Sequence, residues 1–290
     1  MSIIKSFFKT LSACIRYINT YFKTFVLLFI ILLIFILQGK DEKGIENLQK
    51  IYINGAILDS TTLVNQIYEV MEDDNIKGVL LDINSPGGAA GASMEIALAI
   101  KELKEKKPVI AYAREYMASG SYLAGSSATY IMANPISIIG SIGVLISSVD
   151  ISEALKKLGI KPQSLSAGKY KEILNFSKPL KDEDKAYIQE YINDVYDVFT
   201  SFVAEQRKLD MNKIQTWADA RIFIANEALK VGLIDELGSI KKAEDKLKEL
   251  SKVNEAIWKD EKPSTTDFLD KLSTNLSKEI MESLLKLFYF

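Results

Sequence analysis

The sequence predicts an α/β fold, because short apolar runs of strand length alternate with amphipathic stretches of helix length over most of its 290 residues. Glycine-containing turns close several of the apolar runs, as they do where a strand passes into a helix. One uniformly apolar run near the amino terminus stands outside this pattern. No internal repeat is visible, so we expect a single folded unit behind an apolar amino-terminal segment.

The amino-terminal segment centres on residues 25–37, which are all apolar. A helix that spans a bilayer needs ~20 residues, and extension back to Tyr17 supplies the missing turns if Lys23 reaches the interface. Residues 1–23 contain four basic residues and no acid. The positive-inside rule therefore predicts a single-pass anchor in the cytoplasmic (inner) membrane, with everything after Gly39 on the periplasmic or extracytoplasmic side. The alternative is a cleaved signal peptide, but no A-x-A cleavage site follows the run.

The elements behind this anchor follow in a regular order. The first predicted strand covers residues 51–57, and Ser60 is placed to cap the helix after it. Apolar runs predict further strands over 78–83 and 108–113, with an amphipathic helix between them. A long helix is predicted over about 182–207. Its apolar face consists of Ile188, Tyr191, Ile192, Val195, Phe199 and Phe202.

These patterns divide the chain into four parts. Residues 1–39 form the cytoplasmic amino terminus and the transmembrane anchor, 40–50 a linker, 51–250 the α/β domain, and 251–290 a carboxyl-terminal tail. The tail carries an apolar stripe at helical spacing, made of Leu269, Leu272, Leu276, Ile280 and Leu284. We therefore expect an amphipathic helix there, which serves as a packing or oligomer face.

The composition excludes several kinds of site. The chain has no histidine, and its one cysteine is Cys14, so neither a Ser-His pair, a Cys-His pair nor a disulfide can form. Metals held by histidine or cysteine are excluded as well, which leaves only carboxylate sites for magnesium or calcium. We expect no metal and no cofactor. A net charge of -2, from 36 basic and 38 acidic residues, gives no electrostatic basis for binding nucleic acid.

Two glycine-containing turns carry the candidate chemistry. Residues 85–88 (Ser-Pro-Gly-Gly) follow a strand and open a helix, so their backbone N–H groups can point at an anion. Residues 118–120 (Ala-Ser-Gly) occupy a similar place, and Ser119 is either a helix N-cap or a nucleophile. An apolar strand leads into this second turn, and the helix behind it favours negative charge in front of Ser119.

A serine nucleophile in a chain without histidine needs another base, and lysine is the remaining choice. The pKa of a catalytic lysine must fall from ~10.4 to about 7–8, which burial among apolar groups can achieve. Lys169 and Lys171 both lie close to the apolar residues Ile173, Leu174 and Phe176. Spacing alone does not separate these two lysines.

These motifs, in this order, resemble the signal peptide peptidase A family of membrane-anchored serine proteases. The similarity covers roughly residues 50–245. It rests on Ser85-Pro-Gly-Gly88, Ala118-Ser-Gly-Ser-Tyr122, Gly140-Ser-Ile-Gly-Val144, Gly168-Lys-Tyr-Lys171, Phe202-Val-Ala204 with Arg207, Arg221-Ile-Phe223, Ala228, and Gly232-Leu-Ile-Asp235 with Gly238. The resemblance implies a ClpP-like, crotonase-related α/β fold. It also implies cleavage of apolar peptides, such as signal peptides left after secretion, by a serine/lysine dyad.

The resemblance also implies roles for individual residues. Ser119 corresponds to the nucleophile and Lys171 to the general base, whereas Ser141 corresponds to a hydroxyl that orients the lysine. The backbone amides of Gly88 and Gly120 correspond to the oxyanion-hole donors. The family's long form draws serine and lysine from two tandem halves. This chain is one half, so a homo-oligomeric ring is implied in which neighbouring subunits complete each other's dyads.

The chain departs from the family pattern near these motifs. Ser121 stands where the family usually has glycine, and we expect its side chain to lie near the site and to alter substrate preference. Ala220 and Ala225 stand where the family tends to have glycines around Arg221. Neither departure removes a catalytic group.

Three other functions are left open by the sequence. A related membrane protease that cuts a membrane-protein partner would use the same dyad. An inactive peptide-binding scaffold would be favoured by an exposed Lys171. A crotonase-type acyl-thioester enzyme would use the same oxyanion turn, but the export orientation argues against it, because coenzyme A thioesters are cytoplasmic.

Overall fold

The structure is a computed structural model that describes residues 44–260 without a break. In the amino-terminal segment it describes helical residues at 12, 13, 16, 17, 20–22, 24 and 26–29. The chain forms two compact units, Met1–Ile45 and Glu46–Phe290. Within the described parts, no helix combines the length and apolarity that a bilayer crossing requires. The predicted anchor over 25–37 falls largely outside the described residues, and the predicted tail helix over 269–284 falls wholly outside them.

The described part of the second unit, residues 46–260, contains the three predicted strands, the helices that follow them and the long helix in the predicted order, together with five short strands that were not predicted. Its strands are β1 (Leu48–Asn54), β2 (Gly78–Ser85), β3 (Val109–Ala118), β4 (Tyr130–Ala133), β5 (Ile138–Gly140), β6 (Ile222–Ile224), β7 (Glu236–Leu237) and β8 (Trp258–Asp260). Its helices are α1 (Thr61–Glu72), α2 (Ala90–Lys106), α3 (Gly120–Ser126), α4 (Ser152–Lys157), α5 (Asp182–Arg207), α6 (Ile214–Trp217), α7 (Ala225–Lys230) and α8 (Ile240–Leu250).

The strands form one sheet in the order β6-β5-β3-β2-β1-β8, and β4 pairs with both β3 and β7. All pairs are parallel except β5 with β6. The long strand β3 pairs with β4 through residues 110–113 and with β5 through residues 116–118. The carboxyl ends of β2 and β3 therefore lie side by side, and each leads directly into the start of a helix. In an open parallel sheet this edge is where ligands bind.

Apolar side chains of the central strands alternate between two cores. One core joins the sheet to α1, α2 and α3, and includes Ile51, Leu81, Ala111, Ile67, Ile96 and Ile100. The other joins it to α8, and includes Leu48, Leu80, Ile110, Met132, Ala243 and Leu247. Each fully buried leucine or isoleucine contributes about 1.5–3 kcal/mol to the free energy of unfolding. This packing on both faces holds the ends of β2 and β3 in place.

The structure corrects several predicted boundaries. Strand β1 begins at Leu48 and ends at Asn54, and β3 continues past residue 113 to Ala118. The exposed residues 114–116 interrupt the apolar pattern of β3, which is why the sequence predicted too short a strand. Ser60 occupies the N-cap position of α1 but makes no side-chain capping bond, and the Thr61 amide donates to Asp59 Oδ1 instead, over 2.9 Å.

The long helix α5 is confirmed over Asp182–Arg207, but most of its predicted apolar face is not buried. Only Phe199, Thr200, Val203 and Ala204, in its carboxyl-terminal half, are buried. The segment that precedes α5, residues 144–181, is called the arm below. It contains α4 and no strand, and most of its residues are exposed. The arm and the first half of α5 thus contribute little to the core of a single chain.

Candidate active site

Ser119 occupies a strained turn between β3 and α3. Its backbone angles, φ 52° and ψ -124°, lie in a region that residues with a side chain rarely adopt. Such a conformation costs about 1–3 kcal/mol and persists only where its surroundings enforce it. The Ser119 amide donates to Gly140 O over 2.7 Å, and the Leu123 amide donates to Ser119 O over 3.0 Å. Although Ser119 is at the N-cap position, its side chain makes no capping bond, so the hydroxyl is available for chemistry.

The Pro-Gly-Gly turn packs directly against Ser119. Gly87 has φ 94°, and a Cβ added to it would lie 2.6 Å from Gly120 N and 2.9 Å from Ser119 Cβ. Only glycine allows the two turns to approach this closely. Gly87 was not among the predicted site residues, although paired glycines in a turn are a sequence signal of a close backbone approach.

Gly88 presents its backbone amide towards Gly120. The Ile57 amide donates to Gly87 O over 2.9 Å and the Ala89 amide donates to Ile57 O over 2.7 Å, so the Gly88 N–H between them points away from Ile57. Gly88 N lies 3.3 Å from the position that a Cβ on Gly120 would occupy. Within residues 44–260, neither of the two amides finds a backbone acceptor. Two free amides beside a hydroxyl suit an oxygen that gains negative charge during a reaction.

Ser141 is held next to the same turn. It follows Gly140, whose carbonyl accepts the hydrogen bond from the Ser119 amide. Ser141 also has a positive φ, 48°, and its amide donates to Arg221 O over 2.9 Å. The structure therefore brings together Ser119, Ser141 and the amides of Gly88 and Gly120.

Lys171 is not joined to this group within one chain. It lies exposed in a turn of the arm, where its amide donates to Gly168 O over 3.2 Å. No hydrogen bond or ion pair between described residues links its side chain to Ser119 or Ser141. The expected apolar surroundings are wrong for a single chain, because Leu174 and Phe176 are 45% and 54% exposed. The arm stands away from the core, so its apolar residues do not bury the lysine.

Lys169 differs from Lys171 in its partners. Its ammonium forms an ion pair with Glu183 and lies 4.9 Å from the centre of the Tyr170 ring. The hydrogen bond to Glu183 raises the pKa of Lys169 to about 12. The two lysines, which spacing left equivalent, thus differ in their partners. Lys169 pairs with Glu183, whereas Lys171 forms no ion pair between described residues.

The side chain of Ser121 lies next to the site, but it points into the protein. Its side chain is fully buried and hydrogen-bonded to the backbone at the ends of β2 and β3, so it cannot contact a substrate. The start of α3 lies close to the end of β2, so the Ser121 hydroxyl is enclosed between them.

Helix α3 is held at its other side by Tyr122, next to an ion pair between Arg207 and Asp235. Arg207, whose side chain is 8% exposed, binds both carboxylate oxygens of Asp235 and the carbonyl of Gly232. Tyr122, on α3, donates to the Leu233 carbonyl over 2.7 Å. Burial raises the pKa of the Tyr122 phenol, which keeps it a neutral donor. The helix behind Ser119 is thereby tied to the ends of α5 and β7.

Metal ligands are not gathered at this site. Across the parts of the chain that the structure describes, no three histidine, cysteine or acidic side chains are arranged to hold a metal ion.

A parallel sheet that ends in a strained serine turn beside two free amides is the arrangement of a serine hydrolase. Comparison with known proteins identifies the family within this class. The sequence model of Peptidase family S49 matches residues 101–254. A protein of Methanocaldococcus jannaschii, named "Putative protease MJ0651", is 38% identical over 241 residues, which cover 77% of this chain and 78% of that protein. The "Putative signal peptide peptidase SppA" of Enterococcus faecium is 32% identical over 243 residues, with 78% and 71% covered.

The chain therefore belongs to peptidase family S49, among the relatives of signal peptide peptidase A, and is a serine protease. Among solved structures, a mutant of the membrane-bound stomatin-specific protease 1510-N aligns with a TM-score of 0.51 at 17% sequence identity. The alignment covers 76% of this chain and 100% of that one. This likeness shows a shared fold, the mixed α/β sheet of ClpP-like peptidases.

Proposed function

We propose that the chain is a membrane-anchored endopeptidase that hydrolyses apolar peptides, such as signal peptides left after secretion, on the extracytoplasmic side of the cytoplasmic membrane. Ser119 is the nucleophile and Lys171 the general base. The observation that carries the proposal is the strained turn at Ser119, whose hydroxyl makes no capping bond and stands beside the amides of Gly88 and Gly120.

The reaction follows from these groups. Neutral Lys171 takes the proton of the Ser119 hydroxyl while Ser119 Oγ attacks the peptide carbonyl carbon. The carbonyl oxygen becomes an oxyanion, which the amides of Gly88 and Gly120 stabilise. Collapse of this intermediate expels the amine, which takes the proton from the lysine, and leaves an acyl group on Ser119. Water then attacks the ester by the same steps, which releases the acid and restores the serine.

Lys171 is preferred to Lys169 as the base because of the difference in their partners. Lys169 is engaged by Glu183, which raises its pKa to about 12. Lys171 carries no such ion pair within residues 44–260 and projects from the arm. Ser141, which lies next to the Ser119 turn, is placed to orient a lysine that enters the site from elsewhere.

A second copy of the chain is the proposed source of that lysine. The arm exposes seven large apolar side chains, far more than a segment in permanent contact with water usually does. They are Leu145, Val149, Leu158, Ile160, Leu165, Leu174 and Phe176. We propose a homo-oligomeric ring in which the arm of each subunit packs on its neighbour, which buries this surface and brings Lys171 to the neighbour's Ser119. The Enterococcus faecium relative is named as a signal peptide peptidase, which supports signal peptides as substrates.

The proposal is tested with the full-length protein and three variants, Ser119→Ala, Lys171→Ala and Lys169→Ala, on a fluorogenic apolar peptide and on a synthetic signal peptide. We expect Ser119→Ala and Lys171→Ala to abolish cleavage and Lys169→Ala to retain it. Full activity of Lys171→Ala would show that the base is wrongly assigned. Binding of the peptide without cleavage by the unchanged protein would favour a peptide-binding scaffold.

A further inference from the structure

A buried hydroxyl outside the proposed dyad joins the two turns that carry the oxyanion amides. Ser121, the second residue of α3, is fully buried. Its Oγ accepts a hydrogen bond from the Ala118 amide over 2.9 Å. The same oxygen lies 2.6 Å from Ser85 O and 2.9 Å from Ala118 O. Since a hydroxyl has one hydrogen to donate, the shorter contact assigns that hydrogen to Ser85 O.

This link lies where the strand pairing is irregular. Strands β2 and β3 pair residue for residue as far as Ile83 and Ala113, and the next pair is Ser85 with Met117. Between these pairs β2 advances by two residues and β3 by four. A bulge of this kind interrupts the ladder of backbone hydrogen bonds. The Ser121 hydroxyl therefore supplies a direct connection between the two strand ends just beyond the interruption.

Each strand end held by Ser121 is followed by one of the oxyanion donors. Ser85 accepts, through its own Oγ, a hydrogen bond from the Gly87 amide over 3.1 Å, and Gly88 is the next residue. Ala118 precedes Gly120 by two residues. The distance between the two strand ends thus determines the distance between the amides of Gly88 and Gly120.

We propose that Ser121 is a positioning residue for this reaction, whose hydroxyl holds the ends of β2 and β3 at the spacing that lets both amides reach one oxyanion. The inference rests on the proposed function of Ser119. Because Ser121 is fully buried, it acts through the backbone and not on the substrate.

The test compares Ser121→Ala with Ser126→Ala in the full-length protein. Ser126 is a matched control, because it lies on the same helix, is also fully buried, and donates only to Leu123 O within that helix, over 2.7 Å. We expect Ser121→Ala to lower kcat by about 10- to 100-fold with KM nearly unchanged, since misplaced oxyanion donors act on the transition state. Inhibition by a peptide boronate, which forms a tetrahedral adduct with the serine, should weaken by a similar factor. Ser126→Ala should change neither quantity.

Two results would overturn the proposal. The first is a Ser121→Ala protein whose kcat and boronate inhibition equal those of Ser126→Ala, because the hydroxyl would then be merely structural. Ser121→Gly is measured in parallel, so that poor folding of one variant leaves the comparison intact. The second is peptide cleavage by Ser119→Ala at the rate of the unchanged protein. That result would contradict the proposed function itself, and the role of Ser121 would fall with it.

Discussion

Two serines with left-handed backbone conformations lie next to each other at the site. The Ser119 amide donates to the carbonyl that immediately precedes Ser141, and the two residues have φ values of 52° and 48°. Each conformation costs about 1–3 kcal/mol, which the surrounding sheet offsets. Backbone strain in two hydroxyl-bearing residues at one place is typical of a functional site. Substitutions of single residues at and near this site should therefore have clear effects on activity or stability.

Gly88→Ala should lower activity strongly, whereas Gly91→Ala should leave it unchanged. A Cβ on Gly88 would lie 2.0 Å from Ile57 O, so the backbone that carries the Gly88 amide has to move. A Cβ on Gly91 meets nothing within 4 Å. Loss of one oxyanion donor lowers kcat by about 10²–10³-fold. Kinetic assays of both variants provide the measurement, and equal rates would show that the Gly88 amide has no part in the reaction.

Ala220→Gly should stabilise the protein, and Ala225→Gly should destabilise it. Ala220 is exposed and has φ 67°, a conformation that glycine adopts without strain, so the free energy of unfolding should rise by about 1 kcal/mol. Ala225 is fully buried at the start of α7, where glycine removes a packed methyl group. Thermal unfolding distinguishes the two, with an expected rise of about 2–4 °C for Ala220→Gly. A lower melting temperature for that variant would contradict the strain argument.

At the level of elements, sequence patterns predicted the three long strands of the sheet, but they predicted neither the five short strands described beside them nor the arm. Periodicity predicted α5 with its observed bounds, because its apolar face repeats at helical spacing. The last part of β3 escaped prediction, since residues 114–116 are polar or exposed beside a bulge in the ladder. The two turns that form the site, residues 85–88 and 118–120, were identified from their glycines. The separation of Lys169 from Lys171 required the ion pair with Glu183, which sequence spacing does not show.

The apolar side chains of the arm should matter for assembly and not for the folding of one chain. Leu165 is fully exposed in one chain, so Leu165→Glu should leave the α/β unit folded. If the arm packs on a neighbouring subunit, the same change places a charge in that interface, which reduces both oligomer size and activity. Gln163→Glu is the control, because it adds the same charge at another exposed position of the arm. Light scattering and peptide cleavage provide the measurement. If Leu165→Glu leaves the oligomer unchanged, the arm is not part of the interface.

For the whole molecule, the arrangement within one chain is incomplete. The sheet assembles Ser119, Ser141 and two amides, while Lys171 projects into solvent on the arm. In the proposed reaction, Ser119 cannot act without a base, and Lys171 cannot act without the serine. The proposed ring with repeated head-to-tail contacts would complete the dyad, because such contacts would place the same arm against the same site at every interface.

The central claim, that serine and lysine come from different subunits, is tested by co-expressing Ser119→Ala and Lys171→Ala chains that carry different affinity tags. Tandem purification selects particles that contain both chains. Each variant alone should be inactive. In mixed particles, an intact Ser119 faces an intact Lys171 at about one quarter of the interfaces of a randomly assembled head-to-tail ring, so about a quarter of the unchanged activity should return. Co-purified particles with no activity would contradict the shared dyad and place both groups within a single subunit.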